Sequence, residues 1–368
     1  MKFASYSKFI MTGISKNDSL KIKGFAVLLL LCHHLFLFMP QNNVIEFHPY
    51  IIYFGKLSKI CVHIFLIVSG YGLVSSFQEH KSLLYFYKKR FLKLYPCFLL
   101  IAITGILVSW FIYHLPPEKV YENVSFRGHT LPRSLCMVMQ ILGLQDLIPF
   151  SGYNPTWWFM TLILFCYVIF PFLFEVIRKY PIMTLLLMVL LTETSIVQIN
   201  FGSQWLIPFT AGMTLAVLHE NNASPKTDTG NGKVSIQEIL FCLISSCLTL
   251  AVYFTPARRI FTDTLLSIFI IALLSFMRQG RILMFLGKYS YGIFLNHTFI
   301  YYYWFPHIVY YYSHPLWCVS VLLAASFLWS FVVDLLLILF ANLFMYLKLN
   351  LKSIYKIYSK NFDPGKVE

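Results

Sequence analysis

At 368 residues, with 58% hydrophobic residues, 12% charged residues and a mean hydropathy of +0.69, the chain carries about half the charge of an ordinary soluble domain. This excludes a disordered protein, a disulfide-stapled secreted domain and the usual kind of water-soluble enzyme. Long apolar blocks parted by short basic stretches predict an all-α, polytopic membrane helical bundle, and the net charge of +14 is a matter of membrane orientation rather than of nucleic acid.

Hydropathy predicts ten spans in chain order: 24–39, 58–76, 94–113, 157–177, 181–199, 204–219, 236–254, 259–277, 284–304 and 315–346. The first lacks a compact signal-peptide start and a small-residue cleavage site, so it is expected to be retained. The stretch 132–145 is apolar but too short to cross, and reads as an interfacial or re-entrant helix within the 114–156 loop. Residues 219–235 form a Gly-, Asn- and Ser-rich linker. Residues 1–346 are thus one transmembrane domain. Residues 347–368 form a tail in which Lys348, Lys352, Lys356 and Lys360 recur every fourth position, as suits a basic amphipathic helix on an anionic leaflet.

With these spans, 22 of the 29 Lys and Arg residues fall on one side of the membrane, so the positive-inside rule predicts cytoplasmic termini. Arg258 and Arg259 fall on the wrong side. The eight cysteines lie in apolar segments without a C-x-x-C pair, which points to neither a metal site nor a disulfide framework.

Polar groups inside apolar spans carry the chemistry. His33 and His34 sit in the first span, with His34 about 16 Å along the helix from Lys23. Lys23 therefore marks the basic mouth while His34 is near the bilayer midplane. A neutral imidazole there suits a general base or a nucleophile, and equally a structural histidine bonded between helices. Arg90 and Lys93, three residues apart, share a helix face at the same mouth and suit a phosphate-bearing ligand; an ordinary positive-inside anchor has the same appearance. Ser69, Gly70 and Gly72 form a small-residue seam. Trp157 and Trp158 open the fourth span, and Gly287, Ser290, Gly292, Asn296 and His297 bring small and polar groups into the ninth. Asp334 lies deep in the tenth.

Taken in order, these segments resemble the acyltransferase-3 family of integral-membrane acyltransferases over residues 21–340. The resemblance rests on Lys23-Gly24 with His34 after ten intervening residues, on Phe65 with Ser69-Gly70-Tyr71, on Arg90-x-x-Lys93 before Tyr95-Pro96, on Trp158 to Pro171, and on Leu286-Gly287-x-x-Ser290-Tyr291 through His297. Two lysines, Lys23 and Lys93, replace arginine. The glutamate pair of some members would fall near Ile163 and Leu164, where this chain has no carboxylate to orient His34.

The resemblance implies an O-acetyltransferase of a bacterial plasma membrane that moves an acyl group, commonly acetyl, from acetyl-CoA to a hydroxyl of a cell-surface polysaccharide or glycolipid. It implies no bound cofactor or metal and no nucleic-acid partner. His34 would be the catalytic group, acting as base or as acylated intermediate. Lys23, Arg90 and Lys93 would hold the CoA phosphates, while Ser69, Trp158, Ser290 and His297 would wall the pocket, and the 114–156 loop would receive the glycan. The competing readings are a transporter or flippase of an anionic lipid-linked glycan, with His34 as a proton relay, and a non-catalytic scaffold.

Overall fold

The computed structural model describes residues 13–40, 45–78, 82–148, 150–193, 202–222, 259–277 and 279–361. They form an α-helical bundle whose strand content is one two-residue pair. The expected span 236–254, the 223–235 part of the linker, Cys242, Cys247 and Arg258 lie outside the described residues, as do the side chains of the 347–368 tail.

Among the described residues five helices are long and apolar enough to cross a membrane, and they coincide with five of the expected spans. The first is α1, Lys16–Leu37. The next pairs α2, Pro49–Leu57, with α3, Ile60–Gln78. Then come α4, Leu83–Phe111, α6, Trp158–Lys179, and α11, Pro315–Asn361. Four further expected spans are shorter helices: α7, Pro181–Glu193; α8, Leu206–Asn222; α9, Arg259–Phe276; and α10, Arg281–Thr298. The described 13 residues of α7 rise about 20 Å, and residues 194–199 of that expected span lie outside the described residues. α10 continues as a π-helical turn over Phe299–Trp304.

Hydropathy understates two helix starts. α1 begins eight residues before its apolar run because Ser15 and Asp18 form a reciprocal capping box, and α4 begins eleven residues early behind the Ser82 cap. Capping, rather than apolarity, decides where a helix starts. α11 carries exposed apolar side chains, Leu328, Leu339 and Phe344 among them, as a lipid-facing surface requires.

Contacts sort the helix ends into two groups. At the basic end, Lys21 Nζ donates to Met277 O at 2.6 Å, Ile14 N to Tyr71 Oη at 3.0 Å, and Phe77 packs on Phe86 and Phe174. At the opposite end, Tyr113 Oη donates to Trp304 O, Tyr310 Oη to Leu35 O and Trp157 Nε1 to Leu295 O.

α1 and α10 run parallel between these ends in backbone contact. Gly24 lies against the Leu283 carbonyl and Gly287 against that of Leu20, with no room for a Cβ at either. Gly287→Ala is therefore expected to lower stability by about 1–3 kcal/mol, visible as loss of monodisperse protein in detergent and a lower thermal midpoint. Gly72→Ala, with open space around it, should be neutral or slightly stabilising.

The 114–156 segment is ordered by buried amides. It holds a hairpin, β1 Ser125–Phe126 with β2 His129–Thr130, then α5, Arg133–Ile141, and a 3₁₀ turn over Gln145–Leu147. α5 is the short helix expected at 132–145, and at nine residues it does not cross. Gln140 Oε1 accepts from Tyr121 Oη and from Tyr153 N, and its Nε2 donates to Gln145 Oε1 at 2.8 Å. Gln145 Nε2 donates to Asn154 O, and Asn154 Nδ2 to Leu295 O at 3.2 Å, which ties the loop to α10. Burial raises the Tyr121 phenol above its ordinary pKa and pushes Tyr153 up to about 12.

Candidate functional site

α1 is apolar on every side, so it is buried within the bundle and carries its two histidines in with it. Adjacent residues on a helix point about 100° apart, and the two rings find different neighbours. His33 turns to α2, where its Nδ1 is 2.9 Å from Gly55 O. A carbonyl only accepts, so this nitrogen carries the proton and Nε2 is the bare one. His34 turns to α10, with its ring centroid 4.9 Å from that of His297. His297 is fully buried and donates Nδ1–H to Phe294 O at 2.8 Å, leaving Nε2 3.4 Å from Thr298 Oγ1. Thr298 Oγ1 is 3.2 Å from Thr156 Oγ1, which donates to Asn154 Oδ1 at 2.6 Å. A fixed polar chain thus backs His297. His34 itself is half-buried and makes no hydrogen bond among the described residues.

His34 lies where two cavities meet. A larger one, about 360 Å³, is lined by His33, His34, Lys59, Asp146, Trp158 and Trp205 and faces the end opposite the basic mouth. The other, about 20 Å³, has room for about one water molecule. Thr156, Phe65, Phe159 and Phe294 wall it beside His34. The ring centroids of Phe159 and Phe294 are 5.3 Å apart, and those of Phe65 and Phe159 are 6.5 Å apart, so the space on the basic side of His34 is constricted by aromatic rings.

The expected cations meet at the basic end. Lys93 and Arg90 are the charges that act on Lys23, so α1 and α4 bring three mutually repelling cations together at this end. Lys93 is exposed, while Arg90 is 9% exposed and lies over the Phe86 ring at 5.5 Å. Its Nε and one Nη are buried without a hydrogen-bond partner among the described residues. Such orphaned guanidinium nitrogens are rare in folded proteins and fit a phosphate oxygen.

The remaining expected residues divide. Trp158 lines both cavities, and His297 braces His34. Ser69 is half-buried on α3, one turn beyond Phe65 on the same face. Ser290 is buried in the helix seam and donates its hydroxyl to Gly287 O at 2.9 Å; it lines neither cavity. Ile163, one of the two positions where the family resemblance would set a carboxylate, is buried and apolar. The charge acting on Asp334 is that of Lys288. The six described cysteines are free, and no cluster of three or more His, Cys, Asp or Glu that could hold a metal occurs among the described residues.

Reading the sequence did not single out Asp146, Lys59, Gln204 and Trp205 as site residues, yet all four wall the larger cavity. Asp146 is carried in by the 3₁₀ turn, whose backbone N–H donates to Thr161 Oγ1 at 3.2 Å. Burial pushes its carboxyl above the ordinary range. No local pattern marks these positions, since they come from three separated loops and helix ends.

The family described as an acyltransferase domain, acyltransferase-3, matches residues 21–335. Acyltransferase MdmB of Streptomyces mycarofaciens is 24% identical over 136 residues, covering 36% of this chain and 32% of that protein. The aligned region therefore spans about a third of the relative's length. No solved structure matches the chain.

Proposed function

The chain belongs to the acyltransferase-3 family, and on that footing we propose that it transfers an acyl group, in the first instance acetyl, from acyl-CoA to a hydroxyl of a cell-surface glycan across a bacterial plasma membrane. The observation that carries this reading is the position of His34. It lies where the two cavities meet, with no hydrogen-bond partner among the described residues, on the helix that also carries Lys23 of the basic cluster.

The phosphates of CoA cannot enter hydrocarbon, so they stay at Lys23, Arg90 and Lys93. The uncharged pantetheine arm then covers the rise of about 16 Å to His34. Phe65, Phe159 and Phe294 must turn aside to admit it. The acceptor hydroxyl comes from the larger cavity. His34 takes its proton while the oxygen attacks the thioester carbon; the C–O bond forms, the C–S bond breaks, and the departing thiolate takes the proton back from His34. A second route uses the same contacts: His34 attacks first, releases CoA thiol and then passes the acyl group to the hydroxyl. In either route His297, anchored to Phe294 O, holds the His34 ring in place.

The test uses the purified full chain in lipid nanodiscs, with acetyl-labelled acetyl-CoA and surface polysaccharide from cells lacking the protein. Label is expected to enter the polysaccharide as an alkali-labile ester. A wild-type protein that moves no label from acyl-CoA to any glycan defeats the proposal, and coupling of glycan movement to an ion gradient without acyl-CoA would point to transport instead.

A further inference from the structure

The larger cavity contains a carboxylate to which the transfer reaction above assigns no role. Asp146 shares that cavity with His33 and His34, and among the described residues its side chain has no hydrogen-bond or ion-pair partner. Its position is fixed from behind. Its own N–H is held by Thr161 Oγ1, which donates to Gly143 O at 2.8 Å, and the preceding residue, Gln145, is locked between Gln140 and Asn154. A loop with this many buried amide bonds sets a side chain with the precision of a helix.

The chemistry of the other walls narrows what the cavity can hold. Trp158 and Trp205 face the cavity with ring centroids 5.6 Å apart, tilted by 32°, and Lys59 Nζ sits 5.5 Å over the Trp205 ring. Gln204 adds an amide, and His33 brings a bare Nε2, since its Nδ1 proton is given to Gly55 O. A volume of about 360 Å³ lies within the usual range for small-ligand sites. Aromatic faces with a few convergent polar groups match a ring that is apolar on its faces and hydroxylated on its rim. An ionised carboxylate only accepts, so its partner in that ring must be a donor.

We propose that Asp146 is the acceptor-positioning residue of the larger cavity: it takes a hydrogen bond from a sugar hydroxyl next to the one served by His34, and so decides which hydroxyl is acylated. This rests on the acyl-transfer reading above. Asp146 touches neither donor nor thioester, so its removal should leave donor binding alone.

The experiment compares wild type, Asp146→Asn and Asp146→Glu, each as the full chain. Acetyl-CoA binding is measured on purified protein in nanodiscs. Ester content and its ring position are read by mass spectrometry and NMR on surface polysaccharide from cells carrying each variant. Asp146→Asn is expected to bind acetyl-CoA within twofold of wild type, to lower glycan ester at least tenfold, and to spread the remaining ester over more than one ring position. Asp146→Glu is expected to recover part of the yield and the single position. Ester unchanged in amount and position in Asp146→Asn overturns the proposal. So does a parallel loss of acetyl-CoA binding in both variants, which would make Asp146 a folding residue. If the wild type acylates no glycan, the acyl-transfer reading fails first and this proposal falls with it. If the wild type acylates and Asp146→Asn matches it, Asp146 alone is removed.

Discussion

Replacing His34 with Ala or Gln is expected to lower acyl transfer by at least about 10²–10⁴-fold while leaving acetyl-CoA binding within twofold of wild type. The expectation follows from where the ring stands. It is the imidazole shared by the two cavities, and it makes no hydrogen bond among the described residues, whereas His33 spends one nitrogen on Gly55 O and His297 one on Phe294 O. A group already committed to the scaffold is poorly placed to take a proton from substrate; His34 is not so committed. In the proposed reading the donor phosphates sit about 16 Å away along α1, so their binding should not register the change. His34→Gln retains size and polarity and separates loss of proton transfer from loss of packing. The measurement is label transferred from acetyl-CoA to polysaccharide, set beside a binding isotherm for acetyl-CoA. Transfer retained in His34→Gln would remove this residue from the chemistry.

Arg90→Ala is expected to weaken acetyl-CoA binding by about 10- to 100-fold, the equivalent of losing one or two hydrogen bonds to a charged group. Arg90→Lys should fall between, since it keeps the charge but not the planar fork. The same substitution should leave the thermal midpoint of the ligand-free protein unchanged or raise it. Arg90 has no ion-pair partner among the described residues, and two of its buried nitrogens are unbonded, so in the absence of ligand the scaffold bears a desolvation cost that Ala removes. A structural arginine would show the opposite signs: stability lost, donor binding kept. The effect should also shrink as salt rises, because exposed Lys93 and half-buried Lys23 contribute screened attraction.

Much of the site was legible because membranes make polar residues conspicuous. His34, Arg90 and His297 stand out against spans with few other polar groups, and the structure brings His34 against His297 and Lys23 against Arg90 and Lys93. The long spans were legible for the same reason, and five of them are helices of spanning length. Hydropathy was less informative for α7 and α8: over their described residues α8 is packed within the bundle, whereas α7 exposes Ile182, Met183, Leu186 and Leu190. A buried helix and a lipid-facing one have the same composition. Ser290 shows a further limit. Its place in a polar motif points to a pocket, yet its hydroxyl is taken up by Gly287 O one turn back. A serine in a helix has that internal acceptor always within reach.

The amino-acid sequence alone determined the helical class, the apolar segments, the family, and which imidazoles and cations stand out as candidates within those segments. Those are properties of composition and spacing along single helices. Tertiary structure alone decided that His33 and His297 are tied to backbone carbonyls while His34 is not. It also decided that Phe65, Phe159 and Phe294 crowd the basic side of that ring, and that Asp146, Lys59, Gln204 and Trp205 enclose the other side. The partner of His33 lies 22 residues on, in the next helix, and the cavity walls come from segments more than a hundred residues apart; no periodicity in a chain encodes which distant backbone will face a given side chain.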